Sequence, residues 1–341
     1  MFDLQKKQFY PVGKSLGNYL EVYGRIAEIP PLYRELQRFQ DGLPLFDNDG
    51  NDTLWQTVIY GPTEMRSLCE RLARIYSLLK TGETRVSEHL YIERIDFCEF
   101  GNSRPFRVRV VNQFNDNYDH FYVKVADANR IYGLELEHIL SPNRMNYLVQ
   151  GDTLIEEHIA GIPGDIFIDR YFSLPETNRV RLAKEFVKFS QRSFIRLLGD
   201  MRSYNFVVDI TPDFEAVQYR VRAIDFDQQS YEGELKMYLP QFFPENEQVV
   251  ALCTEFLNYP AMKQYQDEER DLVKRRFAVA RPRLDKLFCV LEEDECSSPE
   301  KIAQLATELN EFHHTTDFDG LETMGAIVHR NIDIELGKGR T

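Results

Sequence analysis

The chain has 341 residues, 43% of them hydrophobic, which is enough apolar material for two or three cores and places it among globular proteins. Acidic residues outnumber basic ones, 55 to 41, for a formal charge of -14; a phosphate-backbone binder needs a basic face, so nucleic acid is not expected as a partner. The five cysteines, Cys69, Cys98, Cys253, Cys289 and Cys296, are widely spaced and never form a Cys-x-x-Cys pair, which argues against a disulfide framework or zinc knuckle and for a reducing, cytoplasmic compartment.

Met1 to Leu16 carries Asp3, Lys6, Lys7 and Lys14 with no continuous apolar core, and no run of about 18 apolar residues follows, so neither a secretion signal nor a membrane partner is expected. Residues 1–85 read as a helical extension. Leu16 to Ile29 and Leu32 to Gln40 are two helical patterns interrupted at Pro30-Pro31. Asp47, Asp49 and Asn51 imitate a calcium loop, but Asp52 and Val58 stand where glycine and glutamate are required, leaving a solvated turn. From Glu64 to Lys80, Met65, Leu68, Cys69, Leu72, Ile75, Tyr76 and Leu79 recur at helical spacing, with Gly82 as a stop.

Beyond residue 85 the period becomes two. Tyr91 to Glu99 and Pro105 to Val111 read as strands joined by Phe100-Gly101-Asn102-Ser103-Arg104. Phe106, Val108 and Val110, the turn Asn115-Asp116-Asn117, then Phe121, Val123 and Val125 predict a hairpin with Lys124 on the face opposite Val123. Ala128 to Leu140 is a short helical stretch holding Glu135 and Glu137, and Asn146 to Ile159 reads as two strands around Gln150-Gly151-Asp152. This β-rich part spans 86–160.

A helical region, 161–315, follows. Between Pro175 and Leu197, Leu182, Ala183, Phe186, Val187, Phe189 and Phe194 form a broad apolar face. Next comes Leu198-Gly199-Asp200-Met201-Arg202-Ser203-Tyr204-Asn205, then strand residues Phe206, Val207 and Val208, a turn at Thr211-Pro212-Asp213, and a returning strand that ends at Ile224-Asp225-Phe226-Asp227. An aspartate, an asparagine five residues later and an aspartate closing a strand are the residue types phosphoryl transfer needs: a base and two Mg²⁺ ligands. Helical patterns resume at Val249 to Leu257, Glu268 to Ala280 and Leu284 to Leu291, with a break at Pro282, and Ser298-Pro299-Glu300 opens another helix reaching Phe312. His313 and His314 obey no metal-ligand spacing, and residues 316–341 read as a polar, partly disordered tail.

The order Gly199-Asp200, Asn205, apolar strand, Ile224-Asp225-Phe226-Asp227 resembles the catalytic core of the protein-kinase-like superfamily, nearest its aminoglycoside phosphotransferase and choline kinase-like branch. Leu198 stands where that branch carries histidine, and Arg202 where protein kinases carry lysine and small-molecule kinases histidine. The resemblance implies an α+β, bilobal kinase-like fold with a β-rich N-lobe, a helical C-lobe and a helical N-terminal extension. It implies an ATP- and Mg²⁺-dependent phosphotransferase acting on a hydroxyl of a small molecule. Asp200 is then the base, with Arg202 near the transferred phosphate; Asn205 and Asp225 hold Mg²⁺, and Asp227 a second metal ion. Lys124 is the strand lysine that binds ATP phosphates, and Glu135, preferred slightly over Glu137, its partner. Ile155-Glu156-Glu157-His158-Ile159-Ala160-Gly161 resembles the hinge, with the backbone of Glu157 and Ile159 reading adenine. The stretch 100–104 lacks the Gly-x-Gly-x-x-Gly pattern. Two other readings use the same residues: a kinase-like nucleotide-binding or scaffold protein without turnover, and a nucleotidyl transferase.

Overall fold

In a computed structural model, which describes residues 7–27, 31–47, 49–83, 89–100, 103–212 and 217–337, the chain is α+β, with a β-sheet N-terminal region and a helical C-terminal region. Its residues cluster into two units, Met1–Ala128 with Met145–His158, and Asn129–Arg144 with Ile159–Thr341. Among the described residues no helix is long and apolar enough to cross a membrane.

The first unit opens with α1 (Lys14–Val22) and the single turn α2 (Tyr33–Leu36), followed by the hairpin β1 (Asp41–Phe46) and β2 (Asp52–Ile59). Helix α3 (Pro62–Thr81) leads to β3 (Leu90–Phe97), β4 (Phe106–Asn112) and β5 (Tyr118–Val125). Helix α4 (Ala128–Leu140), which from Asn129 onward belongs to the second unit, separates these from β6 (Tyr147–Gln150) and β7 (Thr153–Glu157). The strands form a seven-stranded antiparallel sheet in the order β1-β2-β3-β4-β5-β7-β6. Period-two alternation sends Val108, Val110, Phe121 and Val123 into one core, where they meet the α3 stripe of Leu68, Leu72, Ile75 and Leu79. Each such side chain contributes about 1.5–3 kcal/mol by burial.

Residues 41–59 depart from the predicted helical extension. The turn at Asp47 is there, its Oδ1 accepting from the backbone N–H groups of Asp49 and Asn51 at 2.9 and 2.8 Å. Strands flank it because β2 finds an edge in β3, Gln56 opposite Phe97 and Thr57 opposite Asp96, a partner some 40 positions away that no local pattern announces. Helix α1 ends at Val22, short of the predicted boundary at Ile29, a position that with Pro30 lies outside the described residues.

In the second unit, α4 is followed by β8 (Ile162–Pro163), α5 (Gly164–Arg170) and α6 (Arg179–Ile195), then β9 (Phe206–Thr211) and β10 (Gln218–Ala223). The three strands form a sheet in the order β10-β9-β8, with the hairpin tip at Asp213 outside the described residues. Helices α7 (Glu247–Phe256), α8 (Tyr259–Glu293), α9 (Pro299–His313) and α10 (Met324–Glu335) complete it. The predicted apolar face of α6 is buried, against α7, α8 and β10.

Two expectations fail here. Pro282 does not break α8, because Val273 and Phe277 before it and Leu284, Leu287 and Leu291 after it are all buried, which outweighs a proline cost of about 3 kcal/mol. Within the tail expected to be partly disordered lies α10, capped by Thr323 and buried through Met324, Ile327, Val328 and Ile332, while residues 338–341 lie outside the described residues. Next to α10, the His313 ring nitrogen Nε2 lies 2.9 Å from Asn331 Oδ1 of that helix.

Candidate functional site

The loop after α6 is built around two left-handed residues, Leu197 at φ 50° and Asp200 at φ 59°. Each costs of order 1 kcal/mol, aspartate less than leucine, so the surroundings must hold the loop. They do so through the backbone: Leu198 N–H donates to Ser193 O at 2.9 Å, Gly199 N–H to Gln228 O at 3.2 Å and Asp200 N–H to Met237 O at 2.8 Å. A Cβ on Gly199 would sit 3.0 Å from Gln228 O, so this close approach requires glycine. Leu198, expected from the resemblance to stand in place of a histidine, is fully buried. Polar support comes from buried Gln229, whose Nε2 donates to the carbonyls of Arg196 and Leu197 at 2.6 and 3.3 Å.

Asp200 offers its carboxylate to Arg202 Nε at 2.7 Å and Asn205 Nδ2 at 3.2 Å, and Arg202 Nη1 continues to Glu245 at 2.9 Å. Asn205 Nδ2 also donates to the Asp200 carbonyl at 2.7 Å, and among the described residues Asn205 Oδ1 has no hydrogen-bond donor. Strand β9 starts at the next residue and pairs Phe206 with Ala223, and Ile224 N–H donates to Asn205 O at 3.0 Å. The end of β10 therefore delivers Asp225 beside the loop, near enough for its charge to act on Asp200. Burial pushes the Asp200 carboxyl above its ordinary range; Arg202 opposes this, and the charges of Asp225 and Glu245 add to it.

The two carboxylates expected to take metal share a cation from the protein itself. Arg130 Nη1, on α4, lies 2.7 Å from Asp225 Oδ1 and 2.7 Å from Asp227 Oδ1, and its side chain is 2% exposed. Gly133 explains how α4 comes so close: a Cβ there would sit 2.9 Å from Phe226 Cβ and 3.1 Å from Gln229 Cβ. The glycine that weakens the helix by propensity is required by packing. One hard cation fits the donors, Asn205 Oδ1 and the partly exposed Asp225 carboxylate. A second at Asp227 fits less well: Arg130 holds one oxygen of each carboxylate, but the Asp227 side chain is only 11% exposed against 36% for Asp225. Among the described residues no three His, Cys, Asp or Glu gather as a metal cluster, and Mg²⁺ typically takes only one or two carboxylates, with substrate and water completing its shell.

In the first unit, Lys124 is nearly buried on β5, and its Nζ lies 3.0 Å from Glu156 Oε2 on the neighbouring β7. The register sets Lys124 opposite Leu154 and Tyr122 opposite Glu156, so lysine and glutamate are diagonal neighbours on one face. The expected partner, Glu135, is taken within the second unit by Arg283, whose Nε donates at 2.7 Å, and Glu137 by buried Arg196. A glutamate buried as fully as these needs a cation, and α8 and α6 bring arginines to them. In the hinge-like run, the Glu157 carboxylate accepts from Asn146 N–H at 2.7 Å and its own N–H donates back to Asn146 O at 3.1 Å. The Ile159 side chain is buried, and the boundary between units falls just before it. Gly101 and Asn102 lie outside the described residues.

Sequence reading missed Arg130, Glu156, Gln229 and Glu245 as participants. The signal for Arg130 was an arginine inside an otherwise apolar helical run, Ile131-Tyr132-Gly133-Leu134, where an unpaired charge is not tolerated.

No family model matches the chain, and no curated protein matches it. Among solved structures, a similar chain is that of the crystal structure of the Rad53 kinase domain and SCD2, at 12% identity and a TM-score of 0.24, the likeness covering 49% of this chain and 76% of that one. A likeness so loose assigns neither family nor activity.

Proposed function

We propose that the protein is a kinase-like phosphotransferase that moves a phosphoryl group from ATP, with Mg²⁺, to a hydroxyl of a small molecule. The observation that carries the reading is the gathering of Asp200, Asn205 and Asp225 around one loop and one strand end. A carboxylate made more basic by burial and neighbouring acids is the better proton acceptor, and Arg202 with Asn205 keeps it aimed. In the reaction Asp200 takes the acceptor hydroxyl's proton as that oxygen attacks the γ-phosphorus of ATP, the bond from that phosphorus to the bridging oxygen breaks and ADP leaves, and Arg202, next to the same carboxylate, faces the charge that develops. Asn205 Oδ1 and Asp225 hold the cation, while Asp227 anchors Arg130. Bound Mg²⁺ supplies neutralisation of the donor phosphates.

Support for Lys124 as a phosphate-binding residue is internal to the first unit. Kinases hold this lysine with a helix glutamate, and here Glu156 holds it from the next strand. The adenine contacts assigned to Glu157 and Ile159 rest on the run of residue types alone.

The test follows ATP loss across a panel of hydroxyl-bearing small molecules, with calorimetry of Mg²⁺–ATP binding in parallel. Asp200→Asn is expected to bind nucleotide normally and to lose turnover by about 10²–10⁴-fold. Asp225→Asn is expected to weaken Mg²⁺-dependent binding as well. Absence of both binding heat and ATP loss at millimolar nucleotide refutes the reading.

A further inference from the structure

The second unit contains a cavity of about 460 Å³ formed by the end of α4, the loop after it and the middle of α8. Four arginines line it, Arg144, Arg275, Arg276 and Arg283, together with His138 and Ile139. Arg276 and Arg283 lie two helical turns apart on α8 and so face the same way. Arg283 is committed to Glu135. Arg276 donates its Nε to Ile139 O at 3.1 Å, and among the described residues its two terminal nitrogens have no hydrogen-bond or carboxylate partner. Arg144 and Arg275 are exposed, and among the described residues neither has a carboxylate or a hydrogen-bond partner.

Three guanidinium groups around one cavity, none of them in an ion pair among the described residues, do not follow from composition, since acidic residues outnumber basic ones in this chain. Like charges held together raise the energy of the empty site; burial and the charge of Arg144 lower the pKa of Arg276, against a smaller opposing effect of Glu137. A polyanion would relieve that repulsion, and the planar fork of arginine matches phosphate oxygens two at a time. The volume suits a small molecule rather than a folded partner.

We propose that this cavity binds a small molecule carrying two or more phosphate groups, held by Arg144, Arg275 and Arg276. The site uses none of the residues assigned to phosphoryl transfer and stands whether or not that assignment does.

The probe is sodium tripolyphosphate, titrated into the full chain by calorimetry with EDTA present, so that metal-dependent binding elsewhere is silent. Saturable binding that weakens with added salt is expected. Arg144→Glu with Arg275→Glu should weaken it at least tenfold at an unchanged melting temperature, since both side chains are exposed; should that variant melt early, Arg276→Gln gives the same reading. Lys263→Glu, about 18 Å along α8 from Arg275, controls for net charge. No binding at about 5 mM probe, equal affinity in wild type and arginine variants, or an equal loss in Lys263→Glu overturns the proposal.

Discussion

Replacing Arg130 with glutamine removes the cation shared by Asp225 and Asp227. Two charge-assisted hydrogen bonds of 2.7 Å are lost, each worth about 1.5–3 kcal/mol. The change leaves Asp227, 11% exposed, beside a second carboxylate without the cation they share. Removing one member of a buried ion pair costs about 3–5 kcal/mol, and because water reaches the 36% exposed Asp225 side chain, the lower end applies, about 3 kcal/mol. For a unit of roughly 200 residues each kcal/mol moves the midpoint by about 2–4 °C, so thermal unfolding followed by circular dichroism should drop by about 6–12 °C. Adding Asp227→Asn to Arg130→Gln removes one of the orphaned charges and should recover about 1–2 kcal/mol, whereas in the wild-type background Asp227→Asn should destabilise. A loss below about 1 kcal/mol for Arg130→Gln, or an Asp227→Asn effect equal in both backgrounds, refutes the account of Arg130 as a structural cation.

Four further outcomes follow from the same geometry. Gly133→Ala gains about 1 kcal/mol of helix propensity but forces a Cβ to 2.9 Å from Phe226, so a net loss of about 1–2 kcal/mol by chemical denaturation is expected, and a gain would show that α4 can move away. Lys124→Met removes the cation 3.0 Å from the buried Glu156 carboxylate and should destabilise the first unit by about 3 kcal/mol, while Lys124→Met with Glu156→Leu should recover part of that loss; equal losses in both would mean the ion pair is not the cause. Because the Asp200 pKa is raised, its charged form appears only above the ordinary aspartate range: the acid limb of the pH–rate profile should lie above about 3.9, and the stability contribution of this group should fall as pH rises through the same window. Arg202→Gln removes the opposing charge and should shift that limb further up, and a downward shift would contradict the assignment. Ile327→Ala, in the buried face of α10, should cost about 2–4 kcal/mol in a urea melt, whereas a disordered tail would show no change.

Much of this architecture was legible before any coordinates. Alternation from Phe106 to Val125 is a direct record of which side chains face a core, and the α6 face reads the same way at the helical period, because burial constrains residue type at each position. The order of Asp200, Asn205 and Asp225 was legible for a related reason: a loop, a strand and a return strand bring fixed positions together whenever the hairpin closes in register, as it does at Phe206 and Ala223. The turn at Asp47 was legible too, since aspartate bonds its own backbone locally.

The choice of partners belonged to the tertiary structure. Lys124 could have met Glu135, Glu137 or Glu156 as far as periodicity can tell, and the sheet order, which sets β7 beside β5, decided for Glu156. Helices α6 and α8 then supplied arginines to the two glutamates left over. Likewise the hairpin at 41–59 exists because β3 offers it an edge, and α8 continues through Pro282 because residues on both sides of it are buried. A periodic pattern records how often a face is buried, which is a property of neighbouring residues. Which charge meets which depends on segments tens of positions apart, and only the closed chain brings Arg130 to Asp225 and Asp227 across almost 100 residues.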